Sequence, residues 1–375
     1  MLQKFQVIVR VFMLGCCIFL IGNACADSLP SAQSAPEWDA LFQHTNGWTG
    51  ADANFSVPLS TNKTLWLFGD TWIGEVKDGK RTNTVMINNT IAIQDGQSRP
   101  EFFRGTQLDG RPTSFFKPQS GHGYFWPFHG IRTAKGLYVV LQQVENIPDR
   151  KPGPFNFHLT SLSLAHIPNP DDPPGQWKVS QQKVPFAMYS PKGDLVFGVS
   201  FMREGEFIYI YGFDSRPVNG EAQSSLVAAR VPEEHLGELK AWRFFTDGKW
   251  EMNAKQVTRM SPGFPTEFSV SYQPALKKYV AIYMANGISG RIVQRTAQTP
   301  TGPWSEPVVL YECPEKSWPE KTFCYSAKAH PELSTSPDEL LITYAANSWE
   351  LRYVINDARL YWPRFVRVKY NAGKE

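Results

Sequence analysis

Three carboxylates stand where short apolar segments of this 375-residue chain begin or end. They are Asp52 in Gly50-Ala-Asp-Ala-Asn54, Asp70 in TLWLFGDTW (64–72), and Glu267 in Pro265-Thr-Glu-Phe-Ser269. Two carboxyl groups, one carrying a proton and one charged, suffice in principle to hydrolyse a glycosidic bond. Pairing residue 56 opposite residue 66 through a turn at 60–63 brings 52 opposite 70. Repulsion between such neighbours raises one pKa and splits the pair into an acid and a base. Glu267 and Ser269 alternate with Phe268 and Val270, so Glu267 can point off a packed face and serve as general acid beside an aromatic surface. The same residues also suit plainer work: an Asx turn before a strand for Asp52, a turn cap for Asp70, a solvated strand start for Glu267.

Further polar and aromatic groups could serve such a site. Lys328, His330 and Glu332 alternate in Lys-Ala-His-Pro-Glu, so one strand face would carry all three. Turned inward, that row could bind a sugar hydroxyl, orient an acid or hold a water. His330 is a conceivable ligand for a central cation, but one histidine does not define a metal site, and no metal is assigned. Trp126 and His129 in Phe-Trp-Pro-Phe-His-Gly, and Trp48 before Asp52, are candidates for substrate contact. Tryptophan rings stack on sugar faces, although core packing is their commoner use. The sequence requires no cofactor and leaves a structural calcium open. A Gly-x-Ser-x-Gly elbow is absent, which removes the usual signature of a serine hydrolase.

The elements that must position these groups are short strands. The chain holds 28 Gly and 29 Pro beside 25 Phe, 14 Tyr and 12 Trp, a mixture that favours many turns and small buried sheets. Strand signals fall at 55–59 and 65–68, 85–93, 125–131 and 137–143, 195–201 and 207–213, 268–272 and 279–284, and 326–333 and 340–344. They recur in five units, about one every sixty to seventy residues, the pattern of a propeller. The expected fold is all-β, a five-bladed β-propeller with short antiparallel blades. A β-sandwich is the rival; it explains the strands but not the repetition. The last strand, 365–370, would complete the first blade and close the ring.

Lys4 and Arg10 precede an apolar run at 11–21, and Ala24-Cys-Ala26 follows as a cleavage pattern. Residues 1–26 are therefore expected to be a signal peptide, 27–44 a flexible leader, and 45–375 a single propeller domain. The protein would be secreted or periplasmic, with no transmembrane domain after processing. Gly22-Asn-Ala is a poor lipobox, which disfavours a lipid anchor on Cys25. With 38 basic and 35 acidic residues and no basic block, nucleic acid is excluded as a partner. Cys313 and Cys324, eleven residues apart in an exported chain, are expected to form a disulfide. Oligomeric state leaves no mark on the sequence.

GWTGADANFSVPL followed by TLWLFGDTW, and SAKAHPELS followed by ELLITYAANS, resemble the secreted domains called DUF4185. TPTGPWSEPVVLY resembles an outer-strand segment of glycosidase-like propellers. The resemblance covers roughly 47–370 and implies the five-bladed fold of arabinanase-like enzymes. It places Asp52 at the catalytic base; Glu267 as acid and Asp70 as tuning partner come from the residues themselves, since the acid of arabinanase-like enzymes lies on a middle blade and Glu267 opens the fourth. It implies an exported glycoside hydrolase acting on a poly- or oligosaccharide, an arabinan being one candidate. A noncatalytic carbohydrate-binding propeller and an envelope protein-interaction scaffold are the alternatives.

Overall fold

The computed structural model describes residues 30–147, 156–220, 223–318 and 321–371. The expected signal peptide lies outside them. Five antiparallel sheets of four or more strands dominate the described residues. The first holds Phe55–Pro58, Lys63–Phe68, Thr90–Asp95 and Glu101–Phe103. The second runs through Tyr124–Thr133, Gly136–Asn146, Phe157–Ile167 and Ser180–Lys183. The third begins with Leu195–Glu204, Phe207–Asp214 and Ser225–Pro232. The fourth begins with Phe268–Gln273 and Lys278–Met284. The fifth is Thr322–His330, Glu339–Ser348, Arg364–Lys369 and, outermost, Ser31–Ser34. The leading strands pack against one another in that order, and the fifth returns to the first. The fold is all-β and propeller-like.

The apolar strands are buried because each sheet is covered on both faces by its neighbours. In Phe207–Asp214 seven of the eight residues are buried, and Phe197 and Phe213 are almost wholly enclosed. Each such phenylalanine stabilises the fold by roughly 1.5–3 kcal/mol. Three leading strands carry a register shift, at Pro127/Gly130, Phe197/Ser200 and Tyr325/Lys328. Bulges of this kind bend a strand and re-aim its side chains.

Four expectations need correction. Residues 31–42 are not a flexible leader. Ser31–Ser34 pairs with Arg364–Lys369, and helix Pro36–Phe42 buries Trp38 and Phe42, four residues apart on one face. Phe42 meets Trp66 edge-on at 4.9 Å. The last strand joins the fifth sheet, not the first, so it is the early strand Ser31–Ser34 that adds to a late sheet. The expected strand at 85–93 is two strands, Lys80–Ile87 and Thr90–Asp95, the former belonging to a ribbon with Thr71–Lys77 and Asn46–Ala51.

The fourth correction concerns the cysteines. Cys313 and Cys324 come together in a buried group with Glu315, their Cα atoms 6.6 Å apart. The contact between their sulfurs does not have the geometry of a disulfide, so the expected bridge is withdrawn. Glu315 is held by the Tyr344 hydroxyl at 2.8 Å and by Arg364 at 3.3 Å. Among the described residues no helix is long and apolar enough to cross a membrane.

Candidate active site

Asp52 and Asp70 face each other across a bent two-stranded ribbon. Ser56 pairs with Trp66, and Phe55 with Leu67, as the spacing around the turn requires. Beyond the bend the same two chain segments continue as Ala51 opposite Thr71. At the bend the Asp52 N–H donates to the Asp70 carbonyl at 3.3 Å, and the Gly69 N–H donates to the Asp52 carbonyl at 3.1 Å. Ala53 and Asn54 both adopt left-handed backbone, with φ of 68° and 55°. Non-glycine residues held in this region each cost on the order of 1–3 kcal/mol, and such strain gathers at functional sites. Gly69 is explained by the carboxylate beside it, since a Cβ there would lie 2.5 Å from Asp52 Oδ1.

Asp52 is half-buried, and both of its assigned hydrogen bonds fall on Oδ2, from Tyr325 at 2.7 Å and Tyr361 at 3.0 Å. Burial, then the nearby charges of Asp70 and Glu267, push its carboxyl up to about 8, against the pull of the two phenols. Asp70 receives the Trp126 indole N–H at 2.9 Å and the Asn88 amide at 3.4 Å. Burial raises Asp70 to about 6, opposed by those two donors. Glu267 sits immediately before the fourth leading strand and accepts from Ser326 Oγ at 2.7 Å and Lys328 Nζ at 2.9 Å.

Lys328 is 1 % exposed, and its ammonium also donates to the Ser326 carbonyl at 2.7 Å and to the Ala53 carbonyl. It lies 4.3 Å from the centre of the Phe55 ring. Burial lowers its pKa while the Glu267 charge opposes that shift. Ser326, with φ of 63°, lies in the bulge, and the extra residue there brings Tyr325 and Lys328, three apart in sequence, to the same face. The three carboxylates thus converge, with partners from the fifth sheet (Tyr325, Ser326, Lys328), from Trp126 of the second, and from Asn88 and Tyr361 in loops. They do not draw together tightly enough to form a chelating set.

Other expected site residues lie elsewhere. Trp48 is 4 % exposed, stacked on Phe102 at 4.2 Å and donating to Thr90, so it is core and not a sugar platform. His129 Nδ1 accepts from the Phe201 N–H at 2.9 Å, and Nε2 contacts the Ser56 carbonyl at 2.9 Å. It is a neutral tie between the first three sheets, its pKa driven down to about 4 by burial. His330 is fully buried, with its ring nitrogens on Ser56 Oγ at 2.6 Å and Thr343 Oγ1 at 2.7 Å, so neither nitrogen is left for a cation. Glu332 follows the strand in a short 3-10 turn and accepts from Ser56 Oγ. The row is therefore an internal network, Lys328 and His330 buried and Glu332 half-buried, and not a solvent-facing comb. Trp126 alone of the aromatic candidates reaches the acids.

Tyr325 and Tyr361 escaped the sequence reading. Tyr325 had a visible signal, lying on the same short strand as Lys328. Tyr361 had none: it lies in a loop, with φ of 69°, its N–H bonded to the Ala346 carbonyl at 2.8 Å. That loop is stapled by Arg81, which is 2 % exposed and donates to the carbonyls of Val354 at 2.6 Å, Leu360 at 2.7 Å and Thr49 at 2.7 Å.

A family model described as a domain of unknown function, DUF5005, matches residues 36–371. This corrects the resemblance to DUF4185. The segments that suggested it are strand-and-turn patterns dominated by buried residues, which packing imposes on many propeller-like chains. Among solved structures, a Bacteroides ovatus protein provisionally described as a hydrolase is 18% identical, with 90% of each chain covered and a TM-score of 0.69. A family 117 glycoside hydrolase from Zobellia galactanivorans is 10% identical, with 91% of this chain and 90% of that one covered and a TM-score of 0.50. At these identities the likeness concerns the fold. No curated protein matches the chain.

Proposed function

The chain belongs to the DUF5005 family, and we propose that it is a glycoside hydrolase built on a closed five-bladed propeller, cleaving a poly- or oligosaccharide with Asp52, Asp70 and Glu267. The observation that carries this reading is the convergence of the paired Asp52 and Asp70 with the distant Glu267, the half-buried Asp52 being pushed up to about 8 by burial and its carboxylate neighbours. The family 117 neighbour lends support at the level of fold. Export rests on the N-terminal charge and cleavage pattern, and an arabinan is one substrate to try.

The surroundings favour roles opposite to those expected from the sequence. The Lys328 ammonium is bound by Glu267, and burial with the two carboxylates nearby pushes Asp52 up to about 8, so Asp52 is the group suited to hold a proton. With both phenols on Oδ2, that proton falls to Oδ1, the oxygen beside Gly69. Asp52 is then the general acid that protonates the leaving oxygen. Glu267, paired with the buried Lys328 ammonium, supplies the negative charge, as base or nucleophile. Asp70 keeps Asp52 protonated by repulsion, and Trp126 holds Asp70 in place.

Turnover of arabinan and a panel of other polysaccharides by wild type, Asp52→Asn and Glu267→Gln tests the reading. Each substitution should lower kcat by about 10²–10⁴-fold, the usual worth of positioned acid–base catalysis, with the fold retained. Full turnover by either variant sinks its assigned role. Tight binding of a sugar without any cleavage would put a carbohydrate-binding propeller in place of the enzyme.

A further inference from the structure

We propose that Trp349, backed by Phe323, forms a platform for a saccharide ring of the substrate beyond the ring held at the acids. The inference rests on the glycosidase reading above and extends it to a chain-like substrate. Trp349 directly follows the strand Glu339–Ser348 and is 42 % exposed. Its ring lies 4.5 Å from Phe323 at an interplanar angle of 37°, and Phe323 lies 5.4 Å from Tyr325. Tyr325 in turn donates to Asp52 at 2.7 Å. A continuous run of three rings therefore leads from solvent to the proposed acid.

The position is held from both sides. The Trp349 N–H donates to the Lys321 carbonyl at 3.3 Å, and Phe323 pairs with Asn347 across the hairpin. Asn347 also donates to the Tyr325 hydroxyl at 3.4 Å. A ring fixed this way loses little freedom when it is covered, which favours binding. The rim is polar: Lys321 and Glu350 pair at 2.9 Å, with the lysine largely exposed. An aromatic face edged by hydroxyl-binding groups is the chemistry that recognises a sugar, whose C–H face is apolar and whose edge is not.

The acids are also approached from a second aromatic group. Trp126 of the second sheet bonds Asp70, with Phe157 edge-on at 4.7 Å. Trp126 thus meets one aspartate and the Tyr325–Phe323–Trp349 run meets the other. A sugar chain crossing the acid pair would be gripped on two sheets.

The test uses the full chain carrying Asp52→Asn, so that binding is read without turnover. Linear arabino- and xylo-oligosaccharides of one to six rings are the probes, followed by calorimetry. Affinity should rise with chain length. Trp349→Ala should weaken chains of four or more rings by about tenfold, equivalent to ~1.4 kcal/mol, and shorter chains less. Trp349→Phe should keep part of the affinity, and it carries the comparison together with Phe323→Leu should the alanine variant fail to fold. An equal loss at every length, no loss, or no binding of any probe overturns the platform. Chains that bind but are never cut by wild type sink the hydrolase reading and leave the platform standing. Cutting with the length dependence intact in Trp349→Ala sinks the platform alone.

Discussion

The Asp52 N–H donates to the Asp70 carbonyl at 3.3 Å, so the two aspartates are joined through backbone before their side chains interact. Their separation is set by the ribbon and not by flexible side chains. Gly69 lies inside this arrangement. Gly69→Ala would put a Cβ 2.5 Å from Asp52 Oδ1 and push the carboxyl aside. Overpacking of this kind costs about 1–3 kcal/mol. The expected result is a modest fall in Tm with a loss of turnover approaching that of Asp52→Asn. Unchanged kinetics would show that Oδ1 is not the reacting oxygen.

Asp52 should also govern the alkaline limb of activity. As the general acid it must be protonated, so kcat/KM should fall as pH rises through about 8. A base at this position would give the reverse, activity rising through the same range. Tyr325 stabilises the ionised form, so Tyr325→Phe should move the limb to higher pH. The groups that bear on this titration are Asp70, Glu267, Lys328, Tyr325 and Tyr361. A limb that stays in place in the phenylalanine variant would contradict the assignment.

The same shift carries a stability consequence. The folded pKa of Asp52 lies above its ordinary value of 3.8, so the folded state binds the proton more tightly than the unfolded chain. This contribution is fully present below about pH 4 and is lost as pH rises to about 8. Asp52→Asn, which cannot ionise, should therefore gain Tm relative to wild type between pH 4 and 8. Calorimetry across that range would show parallel Tm curves if the carboxyl were instead ionised throughout.

Lys328 and Glu267 should behave as a coupled pair. Lys328 is almost fully enclosed, so Lys328→Met leaves a carboxylate without its cation, at a cost of about 3–5 kcal/mol. Adding Glu267→Gln should recover a substantial part of that loss, because the stranded charge is then gone. Denaturant titration of the two single variants and the double one reads the coupling. Simple additivity would mean that the pair contributes no direct interaction.

Residues 31–42 should be required for stability. Trp38 and Phe42 are buried, and Trp38 stacks on Phe365 at 5.6 Å. Phe42→Ala should cost about 3–5 kcal/mol, as for other large core rings. A midpoint in denaturant matching the wild type would mean that the helix is not docked in solution.

The relations legible in the sequence are local. The pairing of Ser56 with Trp66, and with it the approach of Asp52 to Asp70, followed from one short turn. The alternation of Glu267 with Phe268 and Val270 placed that carboxyl off the packed face. The recurrence of strand, turn and apolar strand announced an all-β repeat. Which sheets meet is settled by packing across the whole fold. Lys328 reaches Glu267 across 61 residues, Tyr325 reaches Asp52 across 273, and Tyr361 does so across 309. Alternation along a strand says which face a side chain takes only while the strand is regular. The bulge between Tyr325 and Lys328 breaks that rule, and the rotation of one sheet against the next decides whether an inward histidine finds solvent or another strand. His330 found Ser56 and Thr343, Trp48 found Phe102, and a strand from the start of the chain found the edge of a sheet near its end, because burial of the whole set is optimised together and no segment carries that information alone.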